Sequence, residues 1–318
     1  MLRYILSKLG QSLIVLLIVT LTVFIILSYM PGSIAYSIAG EESTIEEIKA
    51  LEAELGLDKP IIVQYGNWLM RILSGEFGWS YAYNMSVAEL LSTRIPVTFI
   101  LGACSLVISV VLGVLMGIVC AVHRGKLLDN LFSVISDLGI AAPQFWIGIM
   151  LMLLVAYKMK LVPTSGYTPP SVDFGMFLKQ IFLPVLTLSF SSIAAVCRQT
   201  RSAMLETIGS DYVRTARAKG LKENVIIFKH VLRNALIPVL TLMGLRIRLL
   251  FGGSVLVEQI FNIPGMGRLI VESVKKQDTD VAQMAVLIIS IVVILSTLIV
   301  DIAYGVVDPR IRSGREGK

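Results

Sequence analysis

Asp211-Tyr-Val-Arg-Thr-Ala-Arg-Ala-Lys-Gly220, followed by His230-Val-Leu-Arg-Asn-Ala-Leu-Ile-Pro238, is a basic, small-residue stretch held between two long apolar runs. Asp211 suits a helix N-terminus, and the segment ends in Gly220. Basic loops stay on the cytoplasmic side of a membrane, so the stretch predicts a helix at the inner face of a membrane protein. Plain positive-inside charge accounts for Arg198, Arg201, Arg214, Arg217, Lys219, Lys222, Lys229 and Arg233. It does not account for Ala216, Ala218 and Gly220, whose small size lets a helix approach another surface closely. Such a helix suits docking to a cytoplasmic partner.

Composition supports the membrane setting. Of the 318 residues, 55% are hydrophobic and 16% charged, and the mean hydropathy is +0.80, which excludes an ordinary water-soluble globule. Six runs, at about 9–30, 98–122, 133–157, 181–200, 235–257 and 283–307, are near the roughly 20 residues needed to cross hydrocarbon. The first run follows Arg3 and Lys8 as a signal peptide would. It is longer than a usual signal core, and Ser28-Tyr29-Met30-Pro31 is a poor cleavage site, so a retained helix is the better reading. Cys104, Cys120 and Cys197 fall in or beside spans as small buried hydrophobes, and neither they nor His123 and His230 have metal-ligand spacing.

Charge sets the orientation. Arg3, Lys8, Arg124, Lys126, the 198–233 cluster, Arg310, Arg312, Arg315 and Lys318 fall on one side. Glu41, Glu42, Glu46, Glu47, Glu52, Glu54, Asp58, Glu76 and Glu89 crowd the other. Six spans with both termini cytoplasmic satisfy the bias at every loop. The outer segment after the first span is expected to be partly helical. Ser43-Thr-Ile-Glu46 reads as a capping box, Ile45, Ile48, Leu51 and Leu55 mark one face, and Gly56 ends the helix. A second helix is predicted from Pro60 to Leu73, with Tyr65 and Trp68 able to sit at the membrane interface, before the turn-rich Gly75-Glu-Phe-Gly-Trp-Ser80. Two readings stand for this segment: a lid packed on the outer ends of the spans, or a docking surface for an external protein. The loop at 158–181 is expected to be irregular. In the last outer loop, 258–282, Pro264, Gly265 and Gly267 are expected to break any helix that continues from Glu258. That loop reads either as a capping turn or as backbone that dips back into the membrane.

The 211–220 stretch resembles the coupling loop of membrane subunits of type I ABC importers. More narrowly, it and Leu232-Arg-Asn-Ala-Leu-Ile-Pro238 are similar to the peptide/nickel permease family, in the dipeptide and oligopeptide permease B branch. Arg94-Ile-Pro-Val-Thr98, Pro163-Thr-Ser-Gly166, Val257-Glu-Gln-Ile-Phe261, Pro264-Gly-Met-Gly267 and Asp308-Pro-Arg310 carry the likeness along the chain. Arg214 and Thr215 stand where the general pattern has Glu and Ala, a departure usual in the peptide branch.

The resemblance implies an all-α, six-span permease in the cytoplasmic (inner) membrane. Its expected parts are an N-terminal span (1–30), an extracytoplasmic segment (31–95), a permease core (96–309) and a cytoplasmic tail (310–318). It implies a second homologous permease, two cytoplasmic ATPases that carry ATP and Mg, and an extracytoplasmic solute-binding protein. The coupling helix, about 211–222, would dock an ATPase through Asp211, Tyr212, Arg214, Thr215, Ala216, Ala218, Lys219 and Gly220. Membrane lipids surround such a chain, and nucleic acid is not an expected partner. The chain has no G-x-x-x-x-G-K-[ST] motif and no catalytic set, so it is expected to bind no cofactor itself and to be a conduit, with hydrolysis left to partners.

Residues inside the spans supply pathway candidates. Arg246 and Arg248 are costly at mid-membrane and point about 200° apart on a helix. Either one lines an aqueous path and favours an anionic group, or they form structural ion pairs with Asp137 or Asp301. Pro143 is expected to kink its helix, and Gln144 to hydrogen-bond across to a neighbour or line the pore. Glu258, Pro264, Gly265 and Gly267 mark an outer loop near the pathway. Three solute readings follow: a peptide, nickel or a metal chelate on the same architecture, or an ATPase-independent secondary transporter or channel, for which no internal repeat is apparent.

Overall fold

The computed structural model describes residues 2–29, 44–54 and 56–307, and their side chains except those of 2–6, Leu245, 247–253, Ile299 and 301–307. The expected tail, Asp308-Pro-Arg310, Ser43, Leu55 and the side chains of Arg248 and Asp301 therefore lie outside the described residues. In chain order the helices are α1 (Leu2–Ser28), α2 (Ile45–Glu54), α3 (Ile61–Leu73), α4 (Val87–Val122), α5 (Leu127–Ala141), α6 (Gln144–Leu151), α7 (Phe174–Ile208), α8 (Asp211–Ala218), α9 (Glu223–Val225), α10 (Leu232–Ile260), α11 (Met266–Lys275) and α12 (Thr279–Val307). Met152–Lys158 continues α6, and Ile226–Val231 leads into α10, both as π-helix. A two-residue hairpin pairs β1 (Trp79–Ser80) with β2 (Met85–Ser86). Among the described residues five helical stretches are long and apolar enough to span a membrane, and α5 with α6 and its π-helical continuation, bent by 112°, makes a sixth if the pair counts as one span.

That bend departs from the expected kink. Pro96, Pro184 and Pro238 all sit inside continuous helices. Pro143 instead stops α5, with Ala142 before it in extended backbone, the conformation a proline imposes on the residue ahead of it.

The helices form two units, residues 1–98 with 264–302 and residues 99–263 with 303–318. In the first, α3 lays its apolar face on α1. Phe24 meets Trp68 and Tyr65 at ring-centroid distances of 5.9 and 5.6 Å, and Tyr65 bonds Thr20 at 2.8 Å. Trp68 is buried in this packing and so does not serve as the interfacial anchor expected of it. The capping box at α2 is Thr44 with Glu47, one residue later than Ser43 with Glu46: the Thr44 amide donates to Glu47 and the Glu47 amide to Thr44. Gly56 ends α2 at φ +70 as expected, but α2 buries none of its side chains.

Two polar clusters pin the hairpin to the segment from Glu272 to Asp278. Ser80 donates to the Asp278 carboxylate at 2.6 Å, while Tyr83 donates to Glu272 at 2.8 Å and carries Lys276 over its ring at 4.1 Å. Burial and the neighbouring Glu272 carboxylate push the Tyr83 hydroxyl up to about 12. Burial opposes the Glu272 charge, but the Tyr83 hydroxyl, Arg268 and Lys276 outweigh it and hold the carboxyl below its usual range.

The second unit is organised by α7, whose inner face is rich in small residues. A Cβ on Gly113 would lie 2.6 Å from Val196, and one on Gly117 would lie 2.5 Å from Thr200 and 2.8 Å from the Cys197 carbonyl. Only glycine lets α4 approach α7 this closely, the packing device of helices that cannot rely on hydrophobic exclusion in lipid. Ser189 reinforces the contact by donating to the Ser105 carbonyl at 3.1 Å.

Candidate coupling surface and pathway residues

After α7 the chain leaves its long apolar helix at Gly209 and starts α8 with Asp211 in the first turn, where its charge complements the helix dipole. The Ser210 hydroxyl bonds the Thr207 carbonyl at 2.6 Å and is not the cap. The other end closes in a Schellman motif. Gly220, at φ +76, donates to the Arg217 carbonyl at 2.9 Å, and Leu221 donates to Ala216 at 3.4 Å.

Two residues seat this short helix. Val213 is fully buried and Ala216 is 8% exposed, packed among Ile118, Ala121, Ala203, Met204, Ile226 and Val231. Ala216 therefore faces this chain's own core and is not part of an outer docking face, contrary to the sequence expectation. Helical spacing explains this: Ala216 is three residues from Val213 and shares its face.

Asp211, Tyr212, Arg214, Thr215, Arg217, Ala218, Lys219 and Gly220 all stay exposed. Tyr212 accepts from Asn234 at 2.8 Å, tying α8 to the start of α10. Arg214 lies 3.6 Å from Asp211, and Arg217 forks onto Glu223 at 2.6 and 3.2 Å. These surface pairs stabilise α8 by at most about 1 kcal/mol each, so the apolar seat holds the helix. The result is a rigid, basic knob with small Ala218 and Gly220 at its outer end. Leu221, Val225 and Phe228 follow it as exposed apolar side chains.

The pathway candidates separate. Gln144 donates to the Thr187 carbonyl of α7 at 3.5 Å, the cross-helix bond expected of it. Asp137 pairs with Arg198 of α7, while the Arg248 side chain lies outside the described residues. Arg246 is half-buried in α10. Glu258 is wholly buried in the last turn of α10, and its carbonyl accepts from Ile263 at 2.8 Å. Pro264 and Gly265 do interrupt the helix, with Gly265 as the N-cap of α11. Gly267 does not interrupt it: it lies buried inside α11, an amphipathic helix whose first amide, that of Met266, donates to Thr98 at 2.8 Å.

Sequence reading missed Asp129. Its carboxylate is 3% exposed and takes a fork from Arg201 of α7, at 2.6 and 2.9 Å. The available signal was an acid standing in a basic turn, together with Arg198 and Arg201 three residues apart on one helical face.

Comparison with known proteins places this architecture. Residues 113–313 match the family "Binding-protein-dependent transport system inner membrane component", and residues 1–102 match its N-terminal companion, "Binding-prot-dependent transport system membrane comp, N-term". A putative peptide permease protein of Brucella suis biovar 1 is 42% identical over 317 residues, 98% of this chain and 99% of that one. The dipeptide transport system permease protein DppB of Lactococcus lactis subsp. cremoris is 40% identical, with 98% of this chain and 100% of that one covered. Among solved structures, an amino acid ABC transporter with histidines aligns with a TM-score of 0.50 at 16% identity, over 70% of this chain and 94% of that one, a likeness of fold. The chain is a multi-pass membrane protein with the type I ABC importer transmembrane fold, and it belongs to the family of inner membrane components of binding-protein-dependent transport systems.

Proposed function

We propose that this chain is the transmembrane permease subunit of an ATP-driven peptide importer, forming half of the translocation pathway beside a second, related permease. The observation that carries the reading is α8, a capped basic helix seated by Val213 and Ala216 and otherwise turned outward. It lies within the matched 113–313 region, and relatives 42% and 40% identical are described as peptide and dipeptide permeases.

In this reading both termini are cytoplasmic, and two cytoplasmic ATPases hold ATP and Mg. An extracytoplasmic binding protein delivers the solute. One ATPase receives the outer face of α8, with Ala218 and Gly220 allowing close approach and Arg214 and Lys219 meeting acidic groups. Closure of the ATPase pair displaces α8. Because Val213 and Ala216 are packed against Ile118 and Ala121 of α4 and Ala203 and Met204 of α7, the displacement is shared by the ends of both spans. The permease supplies the moving path, and bond cleavage takes place on the partners.

Uptake by the reconstituted transporter tests this. Labelled dipeptide should accumulate only with ATP and binding protein, and unlabelled dipeptide should compete while nickel ions do not. Ala218→Arg should abolish uptake while leaving membrane insertion and association with the second permease intact. ATP-independent uptake would overturn the reading, and competition by nickel alone would reassign the solute.

A further inference from the structure

The apolar seat of α8 draws on α4, α7 and the segment from Ile226 to Ala235, and among the described residues it includes none from α5. Yet α5 leads into the break at Pro143, with Asp137 on it and Gln144 just beyond. One polar contact joins the cytoplasmic start of α5 to the part of α7 that holds α8. Arg201, beside Ala203 and Met204 of the seat, donates Nε to Asp129 Oδ1 at 2.6 Å and a terminal nitrogen to Oδ2 at 2.9 Å. The same carboxylate accepts from the Gly125 amide at 2.9 Å and from Ser133 at 3.5 Å, which fixes the α4–α5 turn as well.

We propose that the Asp129–Arg201 pair is the link that hands displacement of α8 on to α5, making both residues positioning residues for the transport cycle. Small-residue contacts, such as Gly139 of α5 against Ala194 of α7, bring helices close but allow sliding. A planar guanidinium fork on a carboxylate fixes distance and rotation together. With the carboxylate 3% exposed, separating the pair leaves a buried charge without its partner, so the two helices move as one body. The less buried Asp137–Arg198 pair lies further along the same two helices.

The inference rests on α8 being the coupling helix, and the test separates the two claims. In proteoliposomes holding both permeases, both ATPases and the binding protein, ATP hydrolysis and uptake of a labelled di- and tripeptide mixture are measured together. Asp129→Asn and Arg201→Gln should keep subunit association and hydrolysis within about twofold, while ATP consumed per peptide rises on the order of tenfold. Arg201→Lys should recover part of the coupling, and Asp129→Asn/Arg201→Gln should be no worse than the worse single variant. Because a lone buried charge can prevent folding, Asp129→Leu/Arg201→Met replaces the pair by apolar packing and should also raise ATP per peptide. Wild-type coupling in that double variant, or a parallel fall of uptake and hydrolysis in every variant, would overturn the link. Ala218→Arg is measured alongside: if it blocks ATPase association as expected while the Asp129 variants couple normally, the link alone falls. If Ala218→Arg transports normally, both claims fall.

Discussion

Val213→Ala isolates the seat of α8 from its outer face. Eight residues are too few for a helix to persist alone in water, so α8 is held by packing. Val213 is fully buried, and its truncation removes two methyl groups, worth about 1.6 kcal/mol at roughly 0.8 kcal/mol per group. A small cavity adds roughly half a kcal/mol, and the better helix propensity of alanine returns about the same. The net of about 1.6 kcal/mol corresponds to a roughly fifteenfold rise in the population of opened α8. Hydrogen–deuterium exchange of the purified protein measures this directly. Amides of 213–218, the first of which donates to the Ser210 carbonyl, should lose about that factor of protection while those of the α7 interior keep theirs. Unchanged exchange in 213–218 would mean that Val213 does not hold the helix, and equal loss throughout α7 would mean that α8 is not a local unit.

Gly220 adopts φ +76 with open space around it, so Gly220→Ala should cost about 1 kcal/mol through backbone strain alone, and Gly220→Asn, which tolerates that conformation, markedly less; thermal unfolding of the two variants checks the order. Gly220→Arg mixes this strain with surface bulk, which makes Ala218→Arg the cleaner probe of docking. Gly117→Ala should destabilise by about 1–3 kcal/mol, because its Cβ would meet the Cys197 carbonyl at 2.8 Å; a melting temperature equal to wild type would contradict the α4–α7 contact. At Tyr83 the neutral form is favoured in the fold, with its hydroxyl raised from 10.0 to about 12. Its stabilisation is full below the ordinary tyrosine value and is lost as pH rises through about 12. Glu272 behaves oppositely: its depressed carboxyl contributes stability above the ordinary glutamate range and loses it as pH falls through the lowered value. Unfolding midpoints of wild type and Tyr83→Phe between pH 9 and 12 should converge at the alkaline end, and a constant gap would refute the Tyr83 assignment.

Local chemistry made much of this legible. Spans follow from apolar run length, and the end of α2 follows from Gly56, which takes the left-handed position expected of it. What escaped depended on contacts far apart in sequence. Ala216 reads as a docking residue by size alone, but its three-residue spacing from Val213 puts it on the buried face. Pro143 removes the same backbone donor as Pro96, Pro184 and Pro238, yet it alone breaks its helix. Beyond the break, Gln144 bonds to Thr187 of α7, a contact between residues 43 positions apart that no local pattern announces. Asp129 and Arg201 stand 72 positions apart, beyond any local pattern. Gly267 reads as a helix breaker because Pro264-Gly-Met-Gly reads as one turn, whereas the helix starts at Met266 and buries Gly267.

The central claim is that an ATPase grips the outer face of α8. A cysteine at Ala218 with a short bifunctional thiol reagent tests it most directly in the assembled transporter, with a cysteine at buried Ala216 as the comparison. The account predicts a cross-link from position 218 to an ATPase subunit, altered by ATP, and none from position 216. A cross-link absent at 218, or equally strong at both positions, would contradict it.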